Sequence, residues 1–175
     1  GPGPDGEAAG GKCAAGKHQV SEGQGACVDC DAGRFEEQAG SAAASCGLCP
    51  AGRFQAAKSQ AFCRSCPAGK HQHAAGATSC LDCGAGNYSG AEAAHCSACG
   101  AGTVPGPART KCIGCEPGYF SNRSTSPCGV CQAGSVTDTL EKSGGSSCTK
   151  CESGRYSATS TSACAGCPVG RFSNS

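Results

Sequence analysis

Nine Cys-x-x-Cys pairs run through the 175 residues: Cys27/Cys30, Cys46/Cys49, Cys63/Cys66, Cys80/Cys83, Cys96/Cys99, Cys112/Cys115, Cys128/Cys131, Cys148/Cys151 and Cys164/Cys167. First cysteines recur every 16 to 20 residues. Three residues after every second cysteine stands a glycine: Gly33, Gly52, Gly69, Gly86, Gly102, Gly118, Gly134, Gly154 and Gly170. Two positions further on comes an aromatic residue, a histidine or a valine: Phe35, Phe54, His71, Tyr88, Val104, Phe120, Val136, Tyr156 and Phe172. The lone Cys13 obeys the same rule through Gly16 and His18. A self-similarity of this strength decides the architecture before any local propensity is considered.

Composition sharpens the constraint. Val, Ile, Leu and Phe together number fifteen, and Met and Trp are absent, so a conventional hydrophobic core is excluded. Nineteen cysteines take its place, and order must come from covalent cross-links or metal. No apolar run reaches the length of a membrane span. A net charge of +1 without a Lys/Arg cluster argues against nucleic acid and anionic membranes as partners. The start Gly1-Pro2-Gly3-Pro4 and the absence of Met suggest a processed or excised segment.

Within the repeat, Cys49-Pro50-Ala51-Gly52 and Cys66-Pro67-Ala68-Gly69 put Pro at i+1 and Gly at i+3, which predicts a type I turn. Glycine there allows the chain to reverse beside a bridge. The large side chain that follows is expected to lie over the bridge, shield the sulfurs and supply most of the apolar contact between repeats. The remaining Ala, Ser, Gly, Gln and Thr lack a 3.6-residue apolar period, so short strands and turns with little or no helix are expected. The Ala-rich stretch Gln38–Ala44 is at most a helical turn.

The pairs also come near zinc-ribbon spacing, and each Cys-x-x-Cys is formally a redox motif. An even ladder of pairs is a poor fit to zinc, which needs separated couples, and no βαβ frame is present to lower a thiol pKa. Structural disulfides are the favoured reading. Joining each second cysteine to the next first cysteine gives Cys13–Cys27, Cys30–Cys46, Cys49–Cys63, Cys66–Cys80, Cys83–Cys96, Cys99–Cys112, Cys115–Cys128, Cys131–Cys148 and Cys151–Cys164. Cys167 is then left to pair outside the segment. Each loop of roughly fifteen residues is worth about 3 kcal/mol in the chain-entropy account. The expected organisation is a lead or the end of a preceding unit over 1–12, tandem repeats over 13–167, and the start of a further unit over 168–175.

Cys-Pro-Ala-Gly-Arg-Phe (49–54), Cys-Gly-Ala-Gly-Asn-Tyr-Ser (83–89) and Cys-Pro-Val-Gly-Arg-Phe-Ser (167–173) carry a resemblance to a known family. The chain resembles the ephrin-receptor-like cysteine-rich repeat, related to the simplest module of tumour-necrosis-factor-receptor repeats, from Cys13 to its end. The resemblance implies an extracellular location, disulfide-stapled elongated repeats and a part in adhesion, receptor ectodomains or surface structure. The crossed bridges and ligand loops of the tumour-necrosis-factor-receptor pattern have no counterpart, so cytokine binding does not carry over.

Asn87-Tyr88-Ser89 and Asn122-Arg123-Ser124 are N-glycosylation sequons. Ser/Thr runs at 121–126, 143–147 and 157–162 are candidates for O-linked sugar, and Pro2, Pro4, Pro105 and Pro107 for hydroxylation. His18 and His71 fill the large-side-chain position, while His73 and His95 read as surface residues. Lys17, Arg34, Arg53, Lys70, Arg155 and Arg171 precede that position and would form a sparse basic line, either solvating the array or meeting acidic glycans. Thr137–Ser147 lengthens one repeat and should protrude. No Ser/His/Asp arrangement, paired-carboxylate pattern or calcium spacing is present. The expectation is a non-enzymatic, secreted, disulfide-rich repeat rod of short β/turn units with little helix and no globular core, cofactor or metal. Its expected partners are further repeats or copies of itself, and its role a stalk, matrix component or filament protomer. An adhesion or receptor module binding a protein or glycan is the competing reading.

Overall fold

A computed structural model describes residues 13–19, 26–39, 45–123 and 127–171. The chain forms two compact units, one of residues 1–82 with 90–95, the other of 83–89 with 96–175. Among the described residues there is no helix. The first unit holds four antiparallel hairpins, pairing Lys17–Gln19 with Cys27–Asp29, Arg34–Phe35 with Gly47–Leu48, Arg53–Phe54 with Arg64–Ser65, and Lys70–His71 with Leu81–Asp82. The second holds five, pairing Asn87–Tyr88 with Ser97–Ala98, Thr103–Pro105 with Cys112–Gly114, Tyr119–Phe120 with Gly129–Val130, Ser135–Thr137 with Cys148–Lys150, and Arg155–Tyr156 with Ala165–Gly166. Each hairpin is a separate two-stranded sheet, with no larger sheet or barrel among the described residues. A lone two-stranded ribbon is marginal in water, so something else must hold each one.

The turn entering each hairpin differs from the type I expectation. Its hydrogen bond closes one residue later, as in Arg53 N–H to Pro50 C=O at 3.1 Å and Lys70 N–H to Pro67 C=O at 3.1 Å. Proline therefore stands at the first turn position and glycine at the third. The ten repeat glycines there have φ between +77° and +85°, the signature of a type II turn. The tripeptide Pro-x-Gly fits both turns, and the positive φ of the glycine decides for the later one. The Gly carbonyl then accepts from the next second cysteine, as in Cys49 N–H to Gly33 C=O at 2.9 Å and Cys66 N–H to Gly52 C=O at 2.9 Å.

Backbone bonds also dock successive repeats. Gly33 N–H donates to Gln55 C=O and Gly52 N–H to Gln72 C=O, each at 2.7 Å. In return Ser59 N–H reaches Cys30 C=O and Gly76 N–H reaches Cys49 C=O, each at 2.8 Å. Docking extends beyond the nearest repeat. A Cβ on Gly16 would collide with Ser59 C=O, on Gly33 with Gly76 C=O, on Gly52 with Glu92 C=O, and on Gly102 with Gly144 C=O. Each partner lies two repeats downstream, so packing within each unit reaches second neighbours as well as the nearest repeat.

The core is made of sulfur and polar side chains. The second cysteines Cys13, Cys30, Cys49, Cys66, Cys83 and Cys115 are at most 1% exposed. The aromatic position is only half-buried at Phe35, Phe54, Tyr88 and Phe120, and Tyr156 is exposed. Its rings cover the facing strand: Phe35 and Phe120 lie over their cross-strand glycines, Gly47 and Gly129. The residue after it is the buried one, at Gln19, Gln55, Gln72, Ser89, Ser121 and Thr137. There the large side chain is less buried than the residue after it, although Val136 is itself buried. The most buried parts of the repeat are its second cysteine and the polar residue after the large side chain. Of the Gln38–Ala44 stretch, residues 40–44 lie outside the described residues, as do 1–12 and 172–175.

Candidate functional site

The hairpins place the cysteines. Each second cysteine starts a turn and each first cysteine ends the loop that follows, which brings their Cα atoms to 5.6–5.8 Å. That spacing is normal for a bridge. Nine sequential disulfides result, four in the first unit and five in the second: Cys13–Cys27, Cys30–Cys46, Cys49–Cys63, Cys66–Cys80, then Cys83–Cys96, Cys99–Cys112, Cys115–Cys128, Cys131–Cys148 and Cys151–Cys164. Cys167 is a free, half-buried thiol. His18 stands against the Cys30–Cys46 bridge, with Nδ1 3.3 Å from Cys46 Sγ. The three side chains have the proximity of a metal site, but both sulfurs are bonded to each other and offer no thiolate. Here the histidine shields the bridge of the following repeat.

The buried residue beyond the aromatic position acts as a staple across its own loop. Gln55 Nε2 donates to Phe62 C=O at 2.7 Å and its Oε1 accepts from Ala57 N–H at 3.2 Å. Gln72 does the same with Ser79 C=O at 2.8 Å and Ala74 N–H at 2.9 Å. Thr137 Oγ1 lies 3.3 Å from the carbonyls of Leu140 and Ser160. A buried amide with every partner satisfied specifies one loop conformation where no apolar contact does so. The sequence signal was present: this position carries Gln, Glu, Ser or Thr in every repeat except at Pro105.

Five of the six basic side chains that precede the aromatic position, Lys17, Arg34, Arg53, Lys70 and Arg155, are engaged within the fold. Lys17 and Lys70 face Asp29 and Asp82 directly across their hairpins, with N···O distances of 3.5 and 2.6 Å. Arg34 Nη1 donates to Cys46 C=O at 2.9 Å, and Arg155 Nη1 to Cys164 C=O at 3.2 Å. Arg53 pairs with Glu92 at 2.7 Å, and Ser65 Oγ donates to the same carboxylate. A hydrogen bond from Ser59 and the Lys17 ammonium hold the Asp29 carboxyl below its ordinary range. The ammonium of Lys58, 2.9 Å away, does the same to Asp31 and is itself raised by that contact.

The lengthened repeat carries its extra residues in a folded loop. Asp138 Oδ1 accepts from Ser146 N–H at 2.9 Å and Oδ2 from Ser146 Oγ at 2.5 Å. Bonds from Ser146 and Ser147 lower the Asp138 pKa. Glu141, Lys142 and Ser143 on this loop are exposed. Asn122 is exposed and Asn87 half-buried, with Asn87 Nδ2 donating to Ala85 C=O at 3.2 Å. Ser124 of the second sequon and the rest of the 124–126 run lie outside the described residues. In the 157–162 run, Ser157 Oγ donates to Ser162 C=O at 2.8 Å.

Residues 40–83 match a protein-family model described as tyrosine-protein kinase ephrin type A/B receptor-like. The matched segment resembles an ephrin-receptor-like cysteine-rich repeat. It contains the Cys49–Cys63 and Cys66–Cys80 bridges whole. The same turn, hairpin and bridge recur on both sides of it. A search of curated proteins finds no match to the chain. An ephrin-receptor-like module is receptor-type and non-catalytic, and together with the disulfide density it points to an extracellular or surface domain. No helix among the described residues is long and apolar enough to cross a membrane.

Proposed function

We propose that the chain is a non-enzymatic, extracellular structural element, a disulfide-stapled repeat rod serving as a stalk, matrix component or filament protomer. The observation that carries this reading is the docking of repeats by backbone bonds and sequential bridges, as at Gly52, Gln72 and Cys66–Cys80. Such docking asks for glycine at the contact but for no particular side chain around it, which suits an array whose task is to hold distance. Ion pairing absorbs Lys17, Arg53 and Lys70, which leaves fewer free charges for a ligand. Asn87 and Asn122 carry N-linked glycan in this reading, and the partners are further repeats or second copies.

Electron microscopy and light scattering of the secreted, oxidised protein test the proposal. Elongated monomers or ordered polymers from protein alone support it, whereas compact particles overturn it. A second reading rests on the receptor-type family match: an adhesion or ectodomain module that binds a protein or glycan. Saturable binding of the purified monomer to cells, retained after glycan removal, favours that reading.

A further inference from the structure

Three of the four histidines come together although the sequence separates them. The His71 and His73 rings are stacked with centroids 6.3 Å apart, and the His73 and His95 rings with centroids 6.1 Å apart. His73 and His95 are exposed. Their positions follow from the backbone. Gln72, between His71 and His73, is buried and donates its N–H to Ala93 C=O at 3.1 Å, two residues before His95. Glu92 N–H is tied in turn to Cys66 C=O at 2.8 Å. Both segments belong to the first compact unit. The buried amide of Gln72 thus fixes the two strands of chain from which the imidazoles project.

We propose that His73 and His95 form a surface site for a borderline divalent transition-metal ion of the zinc class. Neutral imidazole is the commonest protein ligand for such ions. Two imidazoles sharing one ion at about 2.0–2.1 Å from each nitrogen put their ring centres roughly 5–6 Å apart. The observed 6.1 Å lies just beyond that range with the rings stacked at 19°, and the two exposed side chains turn on a ps–ns timescale to bring a nitrogen of each ring onto one ion. His71 stacks on His73 and limits its orientation. Open coordination positions are left to water or to a donor from a partner. Because one ligand lies in each of two successive repeats, the bound ion pins the 90–95 segment to the hairpin before it. The site uses no cysteine and is distinct from any zinc-ribbon arrangement.

The test is calorimetric titration of the oxidised full chain with zinc chloride at pH 7.5, after the Cys167 thiol has been blocked with iodoacetamide. One ion per chain is expected. His73→Gln and His95→Gln should each weaken binding at least tenfold and together abolish it, while His18→Gln leaves it unchanged. Mass spectrometry of each variant checks that nine bridges remain. Absence of stoichiometric binding, or binding that persists in the double variant, overturns the proposal.

Discussion

The carbonyl of Glu92 lies against Gly52 so closely that no side-chain carbon fits between them. The two residues belong to repeats separated by a complete third one, Cys66–Cys80. The glycine of the Cys-x-x-Gly step thus has two duties: it takes a left-handed turn and it leaves room for the backbone of a repeat further on. At Gly134 and Gly154 only the first duty applies, since nothing stands within 4 Å of an added Cβ.

Gly154→Ala should therefore cost only the left-handed backbone, about 1–2 kcal/mol. Gly52→Ala should cost that plus an overpacking penalty of about 1–3 kcal/mol. Denaturant unfolding of the oxidised protein measures the totals, and amide exchange at Glu92 reports the docking locally. Equal losses in the two variants would show that second-neighbour packing contributes nothing.

Gln55→Ala removes the bonds to the Phe62 carbonyl and the Ala57 amide and empties the buried site of the Gln55 side chain. A loss of about 0.5–1.5 kcal/mol per bond is expected. Gln55→Glu keeps the acceptor for Ala57 and loses the donor to Phe62, and should destabilise as well. Faster exchange at Ala57 in the alanine variant checks the staple directly.

The Arg53–Glu92 pair is about half exposed on both sides, with side-chain accessibilities of 43% and 48%. Glu92→Gln should change stability by no more than about 0.2–1 kcal/mol. Stability should be nearly flat between low and moderate salt, since docking is a backbone matter. A steep loss with added salt would transfer the credit to the ion pair.

Asp138 has a lowered folded pKa because Ser146 and Ser147 donate to its carboxylate. Its contribution is present above the ordinary carboxylate value and disappears as pH falls through the lower folded one. The 138–147 loop should loosen only in acid, below about pH 4. NMR titration of the Ser146 amide follows this, and Asp138→Ala should give the acid-like spectrum at neutral pH. A Ser146 amide indifferent to both would sink the account.

Much of this architecture was legible because its determinants are periodic. The cysteine ladder, the turn glycines and the absence of helix all follow from residues recurring at fixed offsets. The turn was placed one residue early because Pro50 and Gly52 satisfy either register until φ is known. The burial at Gln55 and Gln72 was missed for a different reason. A short chain poor in apolar residues invites the assumption that its aromatics form the core, yet a ring on a two-residue strand can cover only the strand beside it. Second-neighbour docking, and the meeting of His73 with His95, depend on how repeats are placed in space, which spacing along the chain does not encode.

The connectivity of the bridges has a mechanical consequence. Every loop is short-circuited by a disulfide, so a tension applied along the chain crosses Cys49 to Cys63 through sulfur, over a Cα separation of 5.7 Å. The intervening residues 50–62 carry none of it and are not drawn out. Only the two residues inside each Cys-x-x-Cys remain as single peptide links, each able to extend by no more than about 3.3–3.6 Å per residue. A cut after Lys58 would leave the strand of force intact, whereas a cut between Gly47 and Leu48 would sever it. The covalent path of tension thus runs through sulfur at every bridge, and its vulnerable points are its shortest segments.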